Sequence, residues 1–149
     1  MSPDIIIPTD GSECAEKAFD VGFGLAEKLG ATVHAVAVGN VKLAEISSIG
    51  GGGPRTKEDV TEIAAEWADD LVEAAEARGL EATAVVRTGD PAAEIAAYAA
   101  DLDAEMIVMG TAGRSGFKRR ILGSVADEVL RTAPVPVLTV RPDGQVDAA

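Results

Sequence analysis

The stretch from Gly110 to Ser124 has the residue types and spacing of an anion cradle. Its glycines fall as Gly110-x2-Gly113-x9-Gly123-Ser124, which draws two separated glycine elements towards one place. Glycine lets the backbone come close to a ligand, and the N-terminus of a helix expected from Ser124 offers unpaired N–H groups with partial positive charge. Such a turn suits a chain of phosphates. Arg114, Lys118, Arg119 and Arg120 lie between the glycines in a chain that is acidic overall, and positive charge gathered inside a negative molecule favours an anionic ligand. Two plainer readings stand beside this one. The first is a glycine-rich turn capped by Ser124 with no ligand, and the second is four cations that are ordinary solvated loop charge.

A second group, Pro8-Thr9-Asp10-Gly11-Ser12, marks a sharp strand-to-helix turn. Asp10 there suits ribose hydroxyls or a divalent metal, while Asp10 or Ser12 also suits the cap of the next helix, and the two roles are compatible. Other chemistries lack their residues. There is no G-x-x-x-x-G-K-[ST] and no G-x-G-x-x-G after the first strand, so neither a P-loop mechanism nor a dinucleotide fingerprint is supported. His34, the sole histidine, falls inside a strand pattern and reads as a hydrogen-bonded structural residue. Cys14 reads as a packed small side chain, and Phe19 and Trp67 as core at helical spacing. No Cys/His cluster has metal-ligand spacing, and no carboxylate pair stands out among twenty-five acids.

Positioning these groups requires elements, and short runs rich in Val, Ile or Ala at 5–8, 31–38, 82–87, 105–110 and 135–140 predict five strands buried on both faces. Helical patterns lie between them. Ala15, Ala18, Phe19, Gly22, Leu25, Ala26 and Leu29 recur at three and four from Glu13 to Leu29, with Gly30 as the stop. Val60, Ile63, Ala64, Trp67, Leu71 and Ala75 form the stripe of a helix from Lys57 to Arg78, ended by Gly79. A third helix opens at Asp90-Pro91 and buries Ile95, Ala96 and Ala99. A fourth opens at Ser124, where Ser124-x-x-Asp127 reads as a capping box before Val125, Val129 and Leu130. The alternation predicts an open, doubly wound, Rossmann-like sheet of five parallel strands with four helices in a three-layer α/β/α arrangement, whose ligands sit where the winding reverses. One domain spans 1–149, with a glycine-rich connection at about 40–56 that reads as an insertion, a lid being the alternative.

The totals exclude several partners. Thirteen basic against twenty-five acidic residues give a net charge of −12, which repels nucleic acid and anionic membrane surfaces. The acids at Glu58, Asp59, Glu62, Glu66, Asp69, Asp70, Glu73 and Glu76 read as a solvated helix face. With one cysteine, no apolar run of membrane-span length and no basic leader after Met1, a cytoplasmic location is expected.

Several of these segments together resemble the universal stress protein family. Ile5 to Ser12 is similar to its opening strand and turn, and Gly89-Asp90-Pro91-Ala92-Ala93-Glu94-Ile95 to its Gly-x-Pro helix start. Most specific are Ile107-Val108-Met109-Gly110 through Gly123-Ser124-Val125-Ala126, then Pro134-Val135-Pro136-Val137-Leu138. The intact G-x2-G-x9-G-[ST] pattern is that of family members that bind ATP. The resemblance implies a family fold described as adenine nucleotide alpha hydrolase-like, with ATP as ligand together with Mg²⁺ or Mn²⁺. It implies that Gly113, Arg114, Gly123, Ser124 and Val125 meet the phosphates, and that Gly110, after Met109, shapes the turn beside the ribose. Asp10 would take the ribose or assist the metal, with Pro8, Thr9 and the backbone of Val38 towards adenine. Ala112 stands where many members have His, and Gly39-Asn40 where an acid is common. Strand 135–140 falls at a sheet edge in this topology, and exposed edges invite pairing; the resemblance implies a homodimer through that strand, and the favoured function is a regulator that responds to ATP. A slow Mg-dependent ATP hydrolase or phosphoryl transferase, or a nucleotide-free interaction module, are the alternatives.

Overall fold

The computed structural model describes residues 2–40, 56–111, 122–143 and 145–148. Strands β1 (Asp4–Pro8), β2 (Thr32–Asn40), β3 (Ala82–Gly89), β4 (Met106–Gly110), β5 (Val137–Val140) and β6 (Val146–Ala148) alternate in part with helices α1 (Glu13–Leu29), α2 (Lys57–Ala77), α3 (Pro91–Leu102) and α4 (Ser124–Thr132). The sheet order is β3-β2-β1-β4-β5-β6. The first five strands run parallel, and β6 pairs antiparallel with β5.

Successive side chains of a strand point to opposite faces, and the chain uses both. Ile5 and Ile7 of β1, Val33, Ala35 and Ala37 of β2, and Val108 of β4 enter a core with Ala18, Phe23 and Ala26 of α1 and Ala64, Ala68, Leu71 and Ala75 of α2. Ile6, Val36, Ile107 and Met109 face the other way, against Ala92, Ile95 and Ala99 of α3 and Ala126 and Val129 of α4. The three layers follow from this alternation. Alanine dominates the buried helix faces, so helices lie close on a sheet that carries the branched residues.

Capping explains where the helices begin. Ser12 caps α1 by accepting from Ala15 N, Thr56 and Asp59 form a reciprocal capping box on α2, and Asp90 caps α3 by accepting from Ala93 N. Gly30 ends α1 in the left-handed conformation.

Four expectations are corrected. Strand β3 is not buried on both faces: it is a sheet edge, and Thr83, Ala84 and Val86 are exposed. The five parallel strands are present as expected, but a short antiparallel strand, β6, lies outside β5, so strand 135–140 is not the edge of the chain's own sheet. Helix α4 has no Ser124 capping box, because Gly123 is the N-cap and makes no side-chain cap bond, while Ser124 is exposed as the first helical residue. On the helix stripes Phe23, Ala68 and Ala92 are buried, whereas Phe19, Leu25, Ile63, Trp67 and Ala96 are only half-buried and Leu29 is exposed. The acids of α2 lie on its exposed face as expected, with Asp59 half-buried in its capping box. The glycine run at 50–53 lies outside the described residues.

Candidate functional site

In the sheet order, β1 and β4 are neighbours, with β2 and β3 to one side and β5 to the other. The winding therefore reverses between β1 and β4, where α1 and α4 pack on opposite faces, the place at the strands' carboxyl ends where doubly wound sheets bind their ligands. Both segments expected to carry chemistry leave the sheet here.

On the β1 side, Pro8 is buried and registers with Val36. Thr9 N donates to Val36 O at 2.9 Å, which ties the turn to β2. Thr9 Oγ1 accepts from Gly11 N at 3.2 Å and Asp10 Oδ1 accepts from Ser12 N at 3.0 Å. Asp10 is thus oriented by its own turn and is half-buried. Gly11 holds φ 77°, a conformation in which a side chain is strained. On the neighbouring strand Val38 is half-buried, in register with Arg87. Gly39 and Asn40 continue β2, and a Cβ at Gly39 would come 3.2 Å from the backbone of Val60 and Thr61 in α2.

On the β4 side, Met109 is buried and Gly110 ends the strand. A Cβ at Gly110 would lie 2.9 Å from Cys14 Sγ and 3.0 Å from Cys14 O, so only glycine lets α1 cross this closely. Cys14 is buried and its thiol donates to Val140 O at 3.7 Å. Thr111 N donates to the same carbonyl at 2.9 Å. The chain returns at Gly123, whose N–H donates to Thr111 O at 2.6 Å. This bond brings the start of α4 against the exit of β4, so Gly110 and Gly123 converge, as the glycine spacing requires.

The convergence shapes the electrostatics. Gly123 is buried and Val125 half-buried. No side-chain oxygen of the cap residue satisfies the first N–H groups of α4, unlike the starts of the other three helices. A helix start of this kind presents amide donors and partial positive charge to an anion. Gly113, Arg114, Lys118, Arg119 and Arg120 lie outside the described residues, as does Ala112. The residues expected to meet a nucleotide thus fall into three groups: Pro8, Thr9, Asp10 and Val38 around β1 and β2, Met109 and Gly110 at β4, and Gly123, Ser124 and Val125 at α4.

His34 has the structural role expected of it. Its Nδ1 is 2.8 Å from Tyr98 Oη and its Nε2 is 2.9 Å from Asp4 Oδ1, with the Arg87 guanidinium 5.2 Å from the Tyr98 ring centroid. Burial holds the Tyr98 hydroxyl above the usual tyrosine range, against a smaller opposing effect of Arg87 and aided by Asp4. Trp67 is the residue that sequence reading missed: its indole lies against Gly11. The signal available was a lone tryptophan on a half-buried helical stripe, which periodicity alone assigns to core.

A sequence model of the universal stress protein family matches residues 1–141. A universal stress protein of Methanocaldococcus jannaschii is 34% identical over 137 residues, covering 92% of this chain and 81% of that protein. The solved structure of another protein of the same organism, described as hypothetical, superposes with a TM-score of 0.80 at 27% identity, covering 95% of this chain and 96% of that one. The universal stress protein of Archaeoglobus fulgidus in complex with dAMP superposes with a TM-score of 0.70 at 25% identity, covering 93% of this chain and 97% of that one.

Proposed function

This chain belongs to the universal stress protein family, and from that premise we propose that it is an ATP-binding regulatory protein of the stress response. The observation that carries the reading is the start of α4. There Gly123 is tied back to Thr111 beside the exit of β4, and the helix opens without a side-chain cap at the reversal of winding. Backbone amides in that position suit the phosphates of a nucleotide. The dAMP complex of the Archaeoglobus relative supports an adenylate as the ligand class. In this chain Asp10 would take the ribose hydroxyls, Pro8, Thr9 and Val38 would border the base, and Gly110, Gly113, Arg114, Gly123, Ser124 and Val125 would hold the ribose and phosphates. A Mg²⁺ or Mn²⁺ ion would arrive with the phosphates, beside the Asp10 carboxylate.

Occupancy would act by differential affinity for two conformations or two partner surfaces, not by turnover. The family resemblance extends the proposal to a two-fold homodimer through strand 135–140 and to a cytoplasmic location. Among the described residues, no helix is long and apolar enough to cross a membrane. Equilibrium dialysis of refolded, nucleotide-free protein against ATP, ADP and AMP, with and without Mg²⁺, tests the reading. Saturable uptake of one nucleotide per chain is expected, and the absence of uptake for all three overturns it.

A further inference from the structure

Trp67 is the only tryptophan, and although it belongs to α2 its ring reaches the turn after β1. A Cβ at Gly11 would lie 2.6 Å from Trp67 Cδ1 and 2.7 Å from Cε2, so the pyrrole edge of the indole fills the space that any side chain at position 11 would need. The ring is itself held from behind, half-buried and packed on the core shared by α1, α2 and the sheet. The turn is anchored at its two ends, by Thr9 N donating to Val36 O and by Ser12 capping α1. Two of its bonds stay within the turn, Gly11 N to Thr9 Oγ1 and Ser12 N to Asp10 Oδ1, and Gly11, at φ 77°, is its most adaptable residue.

We infer that Trp67 is a positioning residue for the nucleotide: its indole edge buttresses Gly11 and fixes where the Thr9–Asp10 backbone and the Asp10 carboxylate face the ligand. The inference rests on the nucleotide reading above. A rigid aromatic edge restricts the turn before the ligand arrives, which removes an ordering cost from binding. It also joins α2 to the site, so that a nucleotide which draws in the turn moves the environment of the indole.

The test uses the full chain, MgATP as probe, and the variants Gly11→Ala, Trp67→Leu and the double variant, with Trp67→Phe as the milder replacement should Leu disturb folding. Dissociation constants come from equilibrium dialysis, thermal midpoints are recorded alongside, and tryptophan emission of the wild type is followed during the ATP titration. Gly11→Ala is expected to weaken ATP about tenfold or more, because its methyl meets the indole. Trp67→Leu alone is expected to weaken ATP about threefold or more, because the turn loses its buttress. In the double variant the methyl meets no indole but keeps the positive-φ strain of Gly11, so the loss should be smaller than the product of the two single losses by about threefold or more, a coupling of the size found between residues in contact. Emission of the wild type should shift in step with occupancy. A purely structural tryptophan would lower the thermal midpoint and leave ATP affinity and the coupling untouched. That result, or emission indifferent to saturating ATP, overturns the inference while dialysis still shows binding. If dialysis shows no nucleotide bound to the wild type, the nucleotide reading itself fails and this inference falls with it.

Discussion

Single residues of the site do their work by being small or by being turned inward. Gly110 admits α1, since any Cβ would run into Cys14, and Cys14 in turn closes the space by donating its thiol to Val140. The thiol is therefore part of the packing that sets the exit of β4. Gly123 has φ −65°, open to any residue, so its smallness matters for approach and not for backbone strain. We predict that Gly123→Val keeps the fold and weakens ATP binding by about tenfold or more, which is roughly 1.4 kcal/mol. Unchanged affinity by dialysis would remove the cradle from this helix start. At Tyr98 the folded state holds the hydroxyl above its usual range through burial. The neutral form is thus favoured by folding, and its contribution is fully present below the unfolded value near 10 and lost as pH rises through the folded one. Urea midpoints should therefore fall on the alkaline side of about pH 10, in step with phenolate absorbance of the sole tyrosine. Tyr98→Phe should flatten that fall, and an unaltered alkaline slope would assign it elsewhere.

Elements divide between those that stabilise and those that leave an end open. Three helices begin on a side-chain oxygen and α4 does not. The difference is a matter of one residue: Gly123 donates back to Thr111, which makes Gly123 the cap and pushes Ser124 to the exposed first position. Helix α3 is the counterexample, with Asp90 accepting from Ala93 N ahead of Pro91. Asp90→Ala should cost about 1 kcal/mol of stability and leave nucleotide affinity within about twofold, since the cap lies outside the proposed site. Chemical denaturation of the variant checks the first part and dialysis the second. At the sheet's edges, β3 carries Val86 with 37% exposure, and β6 covers the outer side of β5. A hairpin closed by Arg141 N donating to Gln145 O at 2.7 Å brings β6 there.

For the whole molecule, the two governing quantities are charge and the end of the sheet. A net charge of −12, much of it on the exposed face of α2, repels itself in the compact state, and the repulsion is screened over about 10 Å in ~0.1 M salt. The denaturation midpoint should rise as salt is raised from about 0.05 to 0.5 M, and a midpoint indifferent to salt would deny this surface a cost. The proposed homodimer meets the antiparallel tail at the same end of the sheet, since a second copy must add outside β6 or take its place on β5. Sedimentation at micromolar concentration should give the mass of two chains. Deleting residues 144–149 separates the two geometries, tightening association if the tail competes and weakening it if β6 is the contact. A mass of one chain for both forms overturns the dimer.

Much of this was legible in the residues because burial on both faces of a sheet, and on one stripe of a helix, leaves a periodic pattern. The five parallel strands, all four helices and the glycine spacing of 110 and 123 follow from it within a few residues. The Asp90 cap follows from local hydrogen-bonding chemistry, which narrows the cap of α1 to Asp10 or Ser12, and the structure selects Ser12. Tertiary structure decided what depends on neighbours distant in the chain. Strand order exposed β3, because an edge strand lacks a partner on one side whatever its own sequence says. The three residues of β6 are too few to show a pattern, and only pairing with β5 defines them. The meeting of Trp67 with Gly11 arises from how α2 lies across the sheet, a packing geometry that no local spacing encodes.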